Sequence, residues 1–264
     1  MLIKPHEREQ LDSIFKTLKL KSDRNEISID KTCKIEQIIS YLEIIHAEIR
    51  HYSKKREIVL VDSGAGNCYL SFLVYYYYTH IDCRNISIHC VDINTKLMEK
   101  CRQLAKDLEF TGMVFHATDI NDLDLPGKVE MVYALHACDM ATDKTLYFGV
   151  KHEAAAIISV SCCQHDVKKQ LRNNRYSGIT KHSVYKDRFV YMVADSLRGL
   201  LLEMSGYKVS IFDYVSTRYT DKNIMLRAKK SGTSKISQIR EEYEKTKREF
   251  QVTPKLELLM GASN

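Results

Sequence analysis

The chain has 264 residues, of which 44% are hydrophobic, and it carries a net charge of +6. It is long enough to bury a full core, and it contains no apolar run near the ~18 residues that a membrane span needs. The charged start MLIKPHEREQ predicts no signal peptide, and eight cysteines without a CxxC pair indicate reduced thiols in a cytoplasmic protein.

The first segment, residues 1–56, is predicted to be helical. In KIEQIISYLEIIHAEIRHY, apolar residues recur at helical spacing from Ile35 to Ile49. The basic run Lys54-Lys55-Arg56 then ends this pattern. We therefore expect helices that precede the main domain.

Residues 57–232 show short apolar runs that alternate with helix-length segments. The strand-like runs are EIVLVDSG, ISIHCVDIN, VFHATDIN, VEMVYALHACD and AAAIISVSCC, followed by the closely spaced pair YKVSIFDYV and NIMLRAK. This alternation predicts an α/β fold, a Rossmann-like doubly wound sheet of seven strands with an antiparallel hairpin at one edge. Residues 233–264 then form a helical extension that contains the charged SQIREEYEKTKREF.

A glycine-containing loop follows the first predicted strand in the stretch Asp62-Ser63-Gly64-Ala65-Gly66-Asn67. Glycines at this position let the backbone turn sharply and approach a ligand. Tyr69 stands where a dinucleotide-binding loop has its third glycine. S-adenosylmethionine carries an ammonium group and a sulfonium but no pyrophosphate, so the carboxylate of Asp62 suits this ligand better than NAD.

Three successive strands end in a carboxylate, at Asp62, Asp92 and Asp119. Asp92 is expected at the ribose hydroxyls of an adenosine, and Asp119 is expected at the adenine amino group. The alternative is that each aspartate only caps the helix that follows its strand. The predicted cofactor-binding set is Asp62, Gly64, Ala65, Gly66, Asn67, Asp92, Ile93, Asp119, Ile120 and Leu135.

Four stretches resemble a family of class I S-adenosylmethionine-dependent methyltransferase domains found in bacterial proteins and eukaryotic methyltransferase-like proteins. They are VDSGAGNCYLS, ALHACDMATD, SVSCCQHD and DSLRGLLLEMSGYKVSIFDYVSTRYTDKNIMLRA. LHAC…ATD and CCQH are also distantly similar to a tRNA 2′-O-methyltransferase family. The resemblance covers about residues 35–260 and implies the fold, the cofactor and the activity. This chain departs from the family in having Asn67-Cys68 for Lys-Gly, and Ser161 for proline.

The reaction is expected at the carboxyl ends of the fourth and fifth strands, in ALHACDMATD and SVSCCQHD. A histidine, or an aspartate with a raised pKa, suits the role of base toward a hydroxyl group. The Asn/Asp-Pro-Pro-Tyr/Phe motif of adenine N6 methylation is absent. The candidate catalytic residues are His136, Cys138, Asp139, Cys162, Cys163 and His165.

Other roles for these cysteines and histidines stay open. They suit a zinc site chemically, although adjacent cysteines rarely bind one ion together, and we predict no metal. Cys162 or Cys163 could accept a methyl group as a nucleophile. The simplest alternative is that the cysteine pair packs against the methionine arm of the cofactor or lines the pocket.

Charge is divided unevenly along the chain. Residues 57–166 carry a net charge of −7, whereas the flanking segments carry +13. A basic region follows the fifth strand, and its candidate phosphate contacts are Lys168, Lys169, Arg172 and Arg175. Tyr176, Tyr185 and Phe189 are available nearby for base stacking, although isolated aromatic residues more often belong to the core or the surface. The division favours RNA, with tRNA or rRNA first, as the substrate.

Two other classes of function remain alternatives. One is a methyltransferase that acts on a protein or a small molecule, whose binding would lack a steep salt dependence. The other is a binding module that keeps the fold without catalysis. A dehydrogenase is disfavoured because Asp62 would face a pyrophosphate. The sequence leaves the oligomeric state open.

Overall fold

The computed structural model of the protein describes residues 3–22, 28–137, 140–171, 176–232 and 235–261. Its N-terminal segment contains the helices α1 (Pro5–Gln10), α2 (Asp12–Thr17) and α3 (Ile29–Ile49). The hydroxyl of Ser28 accepts a hydrogen bond from the Lys31 N–H at the start of α3. The spacing of apolar residues therefore predicted the long helix correctly, and its buried side includes Ile35 and Ile49.

Within the described residues, seven strands form one mixed sheet. They are β1 (Ile58–Ser63), β2 (Ile86–Val91), β3 (Met113–His116), β4 (Met131–Ala137), β5 (Ala156–Ser161), β6 (Tyr207–Asp213) and β7 (Ile224–Lys230). Their order is β3-β2-β1-β4-β5-β7-β6. The first five are parallel, while β7 is antiparallel to both β5 and β6. The predicted fold class, including the hairpin at the edge, is confirmed.

Helices cover both faces of the sheet. The remaining helices are α4 (Tyr69–Tyr76), which continues as a π-helical turn (Tyr77–Ile81), α5 (Thr95–Asp107), α6 (Met140–Lys151), α7 (His165–Gln170), α8 (Ser177–Thr180), α9 (Ser183–Met204), α10 (Ile236–Phe250) and α11 (Lys255–Gly261). Apolar residues of α3, α4 and α5 form one buried cluster, and those of α6, α9 and α11 form a second. No helix within the described ranges is both long and apolar enough to span a membrane.

The strand order reverses between β1 and β4. Strands β2 and β3 extend the sheet on one side of β1, and β4 and β5 extend it on the other. In such sheets a crevice opens at the carboxyl ends of the two central strands, where ligands bind. The loop after β1 and the end of β4 therefore border the candidate site.

Candidate functional site

The loop after β1 is built on left-handed backbone conformations. Gly64 and Gly66 have φ angles of 67° and 54°, which glycine adopts without a steric penalty. The N–H groups of Gly64 and Ala65 donate to the Val91 carbonyl at 2.9 and 3.1 Å, respectively. Cys68 keeps a φ of 54° where the resembling family has glycine. The loop thus curls across the end of β2 before α4 begins.

The outer side of this loop faces open space. A Cβ added to Gly66 would meet no other atom within 4 Å. Asn67 is exposed beside it. On the inner side, a Cβ on Gly64 would lie 3.6 Å from Cβ of Ala137 at the end of β4. The loop therefore packs against the end of β4 at Gly64 and is open on the side of Gly66.

The carboxylate of Asp92 holds the loop from the neighbouring strand. Its Oδ2 accepts a hydrogen bond from the Gly66 N–H at 2.9 Å, and its Oδ1 accepts one from the Asn94 N–H at 2.9 Å. An ionised carboxylate has about four acceptor positions, so these two bonds leave capacity for a ligand. Ile93, the next residue, is 75% exposed. Its apolar side chain is therefore accessible just beyond the carboxyl end of β2.

Asp62 lies behind the glycine loop and is only 3% exposed. Its Oδ2 accepts a hydrogen bond from the Ser71 hydroxyl at 2.6 Å, and Ser71 in turn lies 2.5 Å from the Tyr133 hydroxyl. Burial raises the pKa of Asp62 to about 7, although the Ser71 hydrogen bond opposes this shift. These interior partners were not recognised from the sequence.

Asp119 has partners on both carboxylate oxygens. Oδ1 accepts from the Asn121 N–H at 3.0 Å, and Oδ2 pairs with Lys144 of α6. Burial alone would raise the pKa of Asp119, but the hydrogen bond from Lys144 lowers it below its usual range. These contacts agree with the alternative in which Asp119 only caps the segment that follows it. The contact of Asp119 with adenine stays a prediction. Ile120 beside it is buried, and Leu135 on β4 is half-buried.

The structure brings two of the candidate catalytic residues together. Cys162 lies just after β5, and its thiol approaches the backbone carbonyl of His136 at 3.5 Å. Cys163 is half-buried, whereas His165 is exposed as the first residue of α7. Cys138 and Asp139 lie outside the described residues. Within the described ranges, no three His, Cys, Asp or Glu side chains are grouped to hold a metal ion.

His136 has an unusual backbone. Its φ of 63° lies in the left-handed region, and the pairing of β4 with β5 shifts register between Leu135 and Ala137. Such a conformation costs about 1–3 kcal/mol for a residue other than glycine, and within the described residues seven other non-glycine positions also adopt a positive φ. The bulge thus sets His136 apart from the regular strand residues on either side of it.

Helix α3 contributes side chains to the same edge of the sheet. Gln37 lies 2.8 Å from the His136 ring, and its amide nitrogen donates to the Tyr219 carbonyl at 3.0 Å. The ammonium group of Lys34 lies 4.4 Å from the centre of the Tyr69 ring. Sequence reasoning assigned α3 no part in the site.

A buried polar cluster supports the segment after β5. The guanidinium of Arg198 donates to Gln164 at 2.7 Å, and Gln164 donates to the Ser161 hydroxyl at 2.9 Å. Arg198 also pairs with Asp143 at 2.7 Å and with Asp195 at 3.2 Å. The available signal was a charged Asp-x-x-Arg pair inside the largely apolar stretch FVYMVADSLRGLLL of α9. Gln164 of the CCQH motif is therefore anchored in the interior.

The basic region after β5 is partly paired and partly exposed. Lys168 forms an ion pair with Asp187 at 2.7 Å, and Lys169 is exposed. Arg172 and Arg175 lie outside the described residues.

The aromatic residues considered for stacking differ in accessibility. Tyr176 and Phe189 pack against Phe250 of α10, at ring-centre distances of 5.5 and 5.6 Å. Phe189 is buried and Tyr176 is half-buried, because the C-terminal helix returns to this region. Tyr185, at 56% exposure, keeps the predicted accessibility.

The fold and the glycine loop bordered by carboxylates define a Rossmann-like protein of the methyltransferase class. Residues 33–170 match the family Methyltransf_32, described as a methyltransferase domain, and the chain belongs to this family. Family and fold together confirm the predicted methyltransferase class and its cofactor, S-adenosyl-L-methionine. No curated protein sequence matches the chain.

Several solved methyltransferase structures are similar to this chain at low sequence identity. The CurJ carbon methyltransferase is 15% identical with a TM-score of 0.50, covering 84% of this chain and 59% of that chain. Magnesium protoporphyrin IX methyltransferase from Synechocystis PCC 6803, with bound S-adenosylhomocysteine, is 15% identical with a TM-score of 0.49, covering 85% and 97%. An rRNA methylase from Streptococcus thermophilus is 10% identical with a TM-score of 0.42, covering 75% and 95%.

Proposed function

We propose that this protein transfers a methyl group from S-adenosylmethionine to RNA, with tRNA or rRNA as the first candidates. The observation that carries the RNA assignment is the position of the basic region. Tyr191 of α9 donates a hydrogen bond to the Cys162 carbonyl at 2.5 Å, so the helices after β5 pack directly against the candidate reaction edge. Lys169 of α7 and Arg188 of α9 are exposed, as is Lys181 in the turn between α8 and α9.

The residues around the glycine loop fit S-adenosylmethionine. Open space next to Gly66 admits a ligand against the backbone, and Asp92 has acceptor capacity for ribose hydroxyls. The exposed side chain of Ile93 provides an apolar surface for a purine ring. Asp62 places a negative charge behind the loop when it is ionised. The bound cofactor would supply an electrophilic methyl group on a sulfonium.

The candidate catalytic residues have separate proposed roles. His136, at the end of β4, would accept a proton from the acceptor group, because burial and then the charge of Lys34 lower its pKa and keep it neutral. Cys162 and Cys163 would line the pocket beside it. Much of the rate enhancement in such displacements comes from holding the two reacting atoms in line.

Electrostatics favours a polyanion on the basic side of the site. Phosphates of an RNA would be attracted to the lysines and arginines after β5, and the release of counterions would make binding salt-dependent. The acidic segment 57–166 would repel phosphates elsewhere. The RNA would thus be directed toward the edge that contains His136 and Cys162.

The three-part organisation is part of this proposal. Residues 57–232 would form the methyltransferase domain, with residues 1–56 and 233–264 as helical additions that pack against it. We also propose a cytoplasmic location, since the eight cysteines suit a reducing compartment.

The direct test is methyl transfer from radiolabelled S-adenosylmethionine to total tRNA and to rRNA. RNA affinity is measured in parallel at about 50 to 300 mM salt. The variant Lys168→Ala/Lys169→Ala should weaken binding and reduce the salt slope by about 2, since each lysine removed contributes about 1. Lys100→Ala/Lys106→Ala, which removes two exposed lysines from α5, is the matched control and should leave the slope unchanged.

The alternatives predict different results. Methylation of a protein or small molecule, with no salt-dependent RNA binding, would replace RNA as the substrate class. Cofactor binding without transfer to any acceptor class would support a non-catalytic module. Either outcome would contradict the proposal.

A further inference from the structure

The amide of Gln37 has a determined orientation. A backbone carbonyl can only accept hydrogen bonds, so the group 3.0 Å from the Tyr219 carbonyl must be the NH₂ of the amide. The other end of the amide, Oε1, therefore faces Nε2 of His136 at 2.8 Å. Since Oε1 cannot donate, the proton of this hydrogen bond must belong to His136.

The imidazole of His136 is held in its neutral form. Burial lowers its pKa, Lys34 lowers it further, and Asp221 only partly opposes them. A neutral imidazole has one N–H and one nitrogen with a lone pair. When Nε2 carries the proton, the lone pair belongs to Nδ1.

The backbone around His136 is fixed independently of Gln37. The bulge in β4 and the left-handed φ of 63° define where the side chain leaves the strand. The contact of the Cys162 thiol with the His136 carbonyl, at 3.5 Å, ties this bulge to the end of β5. Gln37 therefore acts on the ring, while the strand positions the residue.

We propose that Gln37 is a positioning residue that holds His136 in the Nε2–H tautomer and so makes Nδ1 the basic nitrogen of the site. Its role in the reaction rests on the proposed methyltransferase function. Tyr219 has a part in this arrangement because its carbonyl orients the amide. The Gln37 amide thus connects α3, the end of β4 and the loop between β6 and β7.

The proton balance of the proposed step is simple. The attacking oxygen of a hydroxyl acceptor forms a bond to the methyl carbon, and the bond from that carbon to sulfur breaks. The hydroxyl proton passes to Nδ1 of His136. The imidazolium that results keeps its Nε2–H bond to Oε1 of Gln37, which stabilises the added charge.

The decisive experiment is ¹⁵N NMR of the histidine rings near neutral pH, on wild type and on Gln37→Met, Gln37→Glu and the exposed control Gln238→Met. The His136 signals are identified from their loss in His136→Gln. Wild type and control should show a protonated Nε2 and an unprotonated Nδ1. Gln37→Met should give a mixture of tautomers, whereas Gln37→Glu, which still accepts the bond, should retain the Nε2–H form.

Kinetics on the methyl acceptor separates positioning from binding. Gln37→Met should lower kcat by about 10- to 100-fold, with KM for RNA changed less than about twofold because the contact is not to the substrate. Gln37→Glu should recover part of the lost kcat. The thermal unfolding of each variant shows that it is folded.

The outcomes distinguish the two proposals. A wild-type His136 with its proton on Nδ1, or a tautomer change without any change in kcat, would overturn the role of Gln37. If the tautomers are as expected but the protein methylates no RNA, the proposed substrate is contradicted. That result would still support Gln37 as the residue that fixes the tautomer of His136.

Discussion

The Oδ2 atom of Asp92 accepts a hydrogen bond from the backbone N–H of Gly66 at 2.9 Å. One carboxylate at the end of β2 thus fixes the loop that follows β1. Its Oδ1 is held by the Asn94 N–H, so the side chain has a defined orientation before any ligand arrives. Preorganisation of this kind reduces the entropic cost of binding.

The glycine loop is predicted to be sensitive to one added methyl group. Gly66→Ala should lower the free energy of unfolding by about 1–2 kcal/mol, because a left-handed φ is strained for alanine. It should also weaken S-adenosylhomocysteine binding by about tenfold or more, corresponding to about 1.4 kcal/mol, since the methyl group enters the open space of the crevice. Calorimetric titration and chemical denaturation measure the two effects.

Gly127→Ala is the matched control for this substitution. Gly127 also has a positive φ, 97°, and an added Cβ would also meet nothing within 4 Å. It precedes β4 at the opposite end of the sheet. We expect a comparable loss of stability with unchanged ligand affinity, and an equal loss of affinity in both variants would contradict the assigned site.

Asp62 is predicted to make stability depend on pH. Its pKa is about 7 in the folded protein against an ordinary value of 3.8. Below pH 3.8, Asp62 is protonated in both the folded and the unfolded protein. As the pH rises from 3.8 through about 7, the free energy of unfolding falls. At about pH 8 the ionised Asp62 lowers the free energy of unfolding by about 4 kcal/mol.

Asp62→Asn removes this penalty because an amide cannot ionise but can still accept from Ser71. The variant should unfold at a higher temperature than wild type at about pH 8, and the difference should shrink toward about pH 4. Thermal unfolding across this range measures it. A difference that is independent of pH would show that Asp62 does not hold a proton in the folded protein.

The buried cluster around Arg198 is predicted to be essential for stability. Arg198→Ala leaves Asp143 and Asp195 as buried charges without their main partner, which costs about 3–5 kcal/mol. The exposed pair of Lys168 with Asp187 is the natural comparison, and Lys168→Ala should cost less than about 1 kcal/mol. Denaturant titration of both variants checks the difference, and equal small effects would refute it.

Phe250 is predicted to anchor the C-terminal helix. Its ring packs against Tyr176 and Phe189, so Phe250→Ala should destabilise the protein by about 1–3 kcal/mol. Leu258→Ala, at a side chain that is 53% exposed, should change stability by less than about 0.5 kcal/mol. A Phe250→Ala variant as stable as wild type would show that the helix does not depend on this contact.

The fold could be predicted because its signals are local. Alternation of apolar runs with helix-length segments marked the strands, and polar residues at strand ends marked Asp62 and Asp92. The expectation that the third strand ends at Asp119 was wrong, because β3 ends at His116. Parallel strands bring such ends to one edge, so the neighbourhood of the crevice followed from chain order alone.

The contacts within the site could not be predicted in the same way. Gln37 and His136 are 99 residues apart in the chain, and Ser71 and Tyr133 are 62 apart. Such pairs depend on how the helices cross the sheet. The pattern of apolar residues along the chain does not predict that arrangement. Ser71 did carry a usable signal, since it is a polar residue within the apolar run CYLSFLVYYYY. Phe189 is buried and Tyr176 is half-buried because a distant helix packs against them, and chain order alone does not show this contact.

Calorimetric titration of the purified protein with S-adenosylhomocysteine, beside Asp92→Ala and with NAD as the control ligand, tests the assigned cofactor site most directly. We expect micromolar binding to wild type, an affinity at least about tenfold lower in the variant, equivalent to about 1.4 kcal/mol, and no binding of NAD. Absence of binding to wild type, or equal binding to Asp92→Ala, would contradict the assignment of the cofactor to this loop.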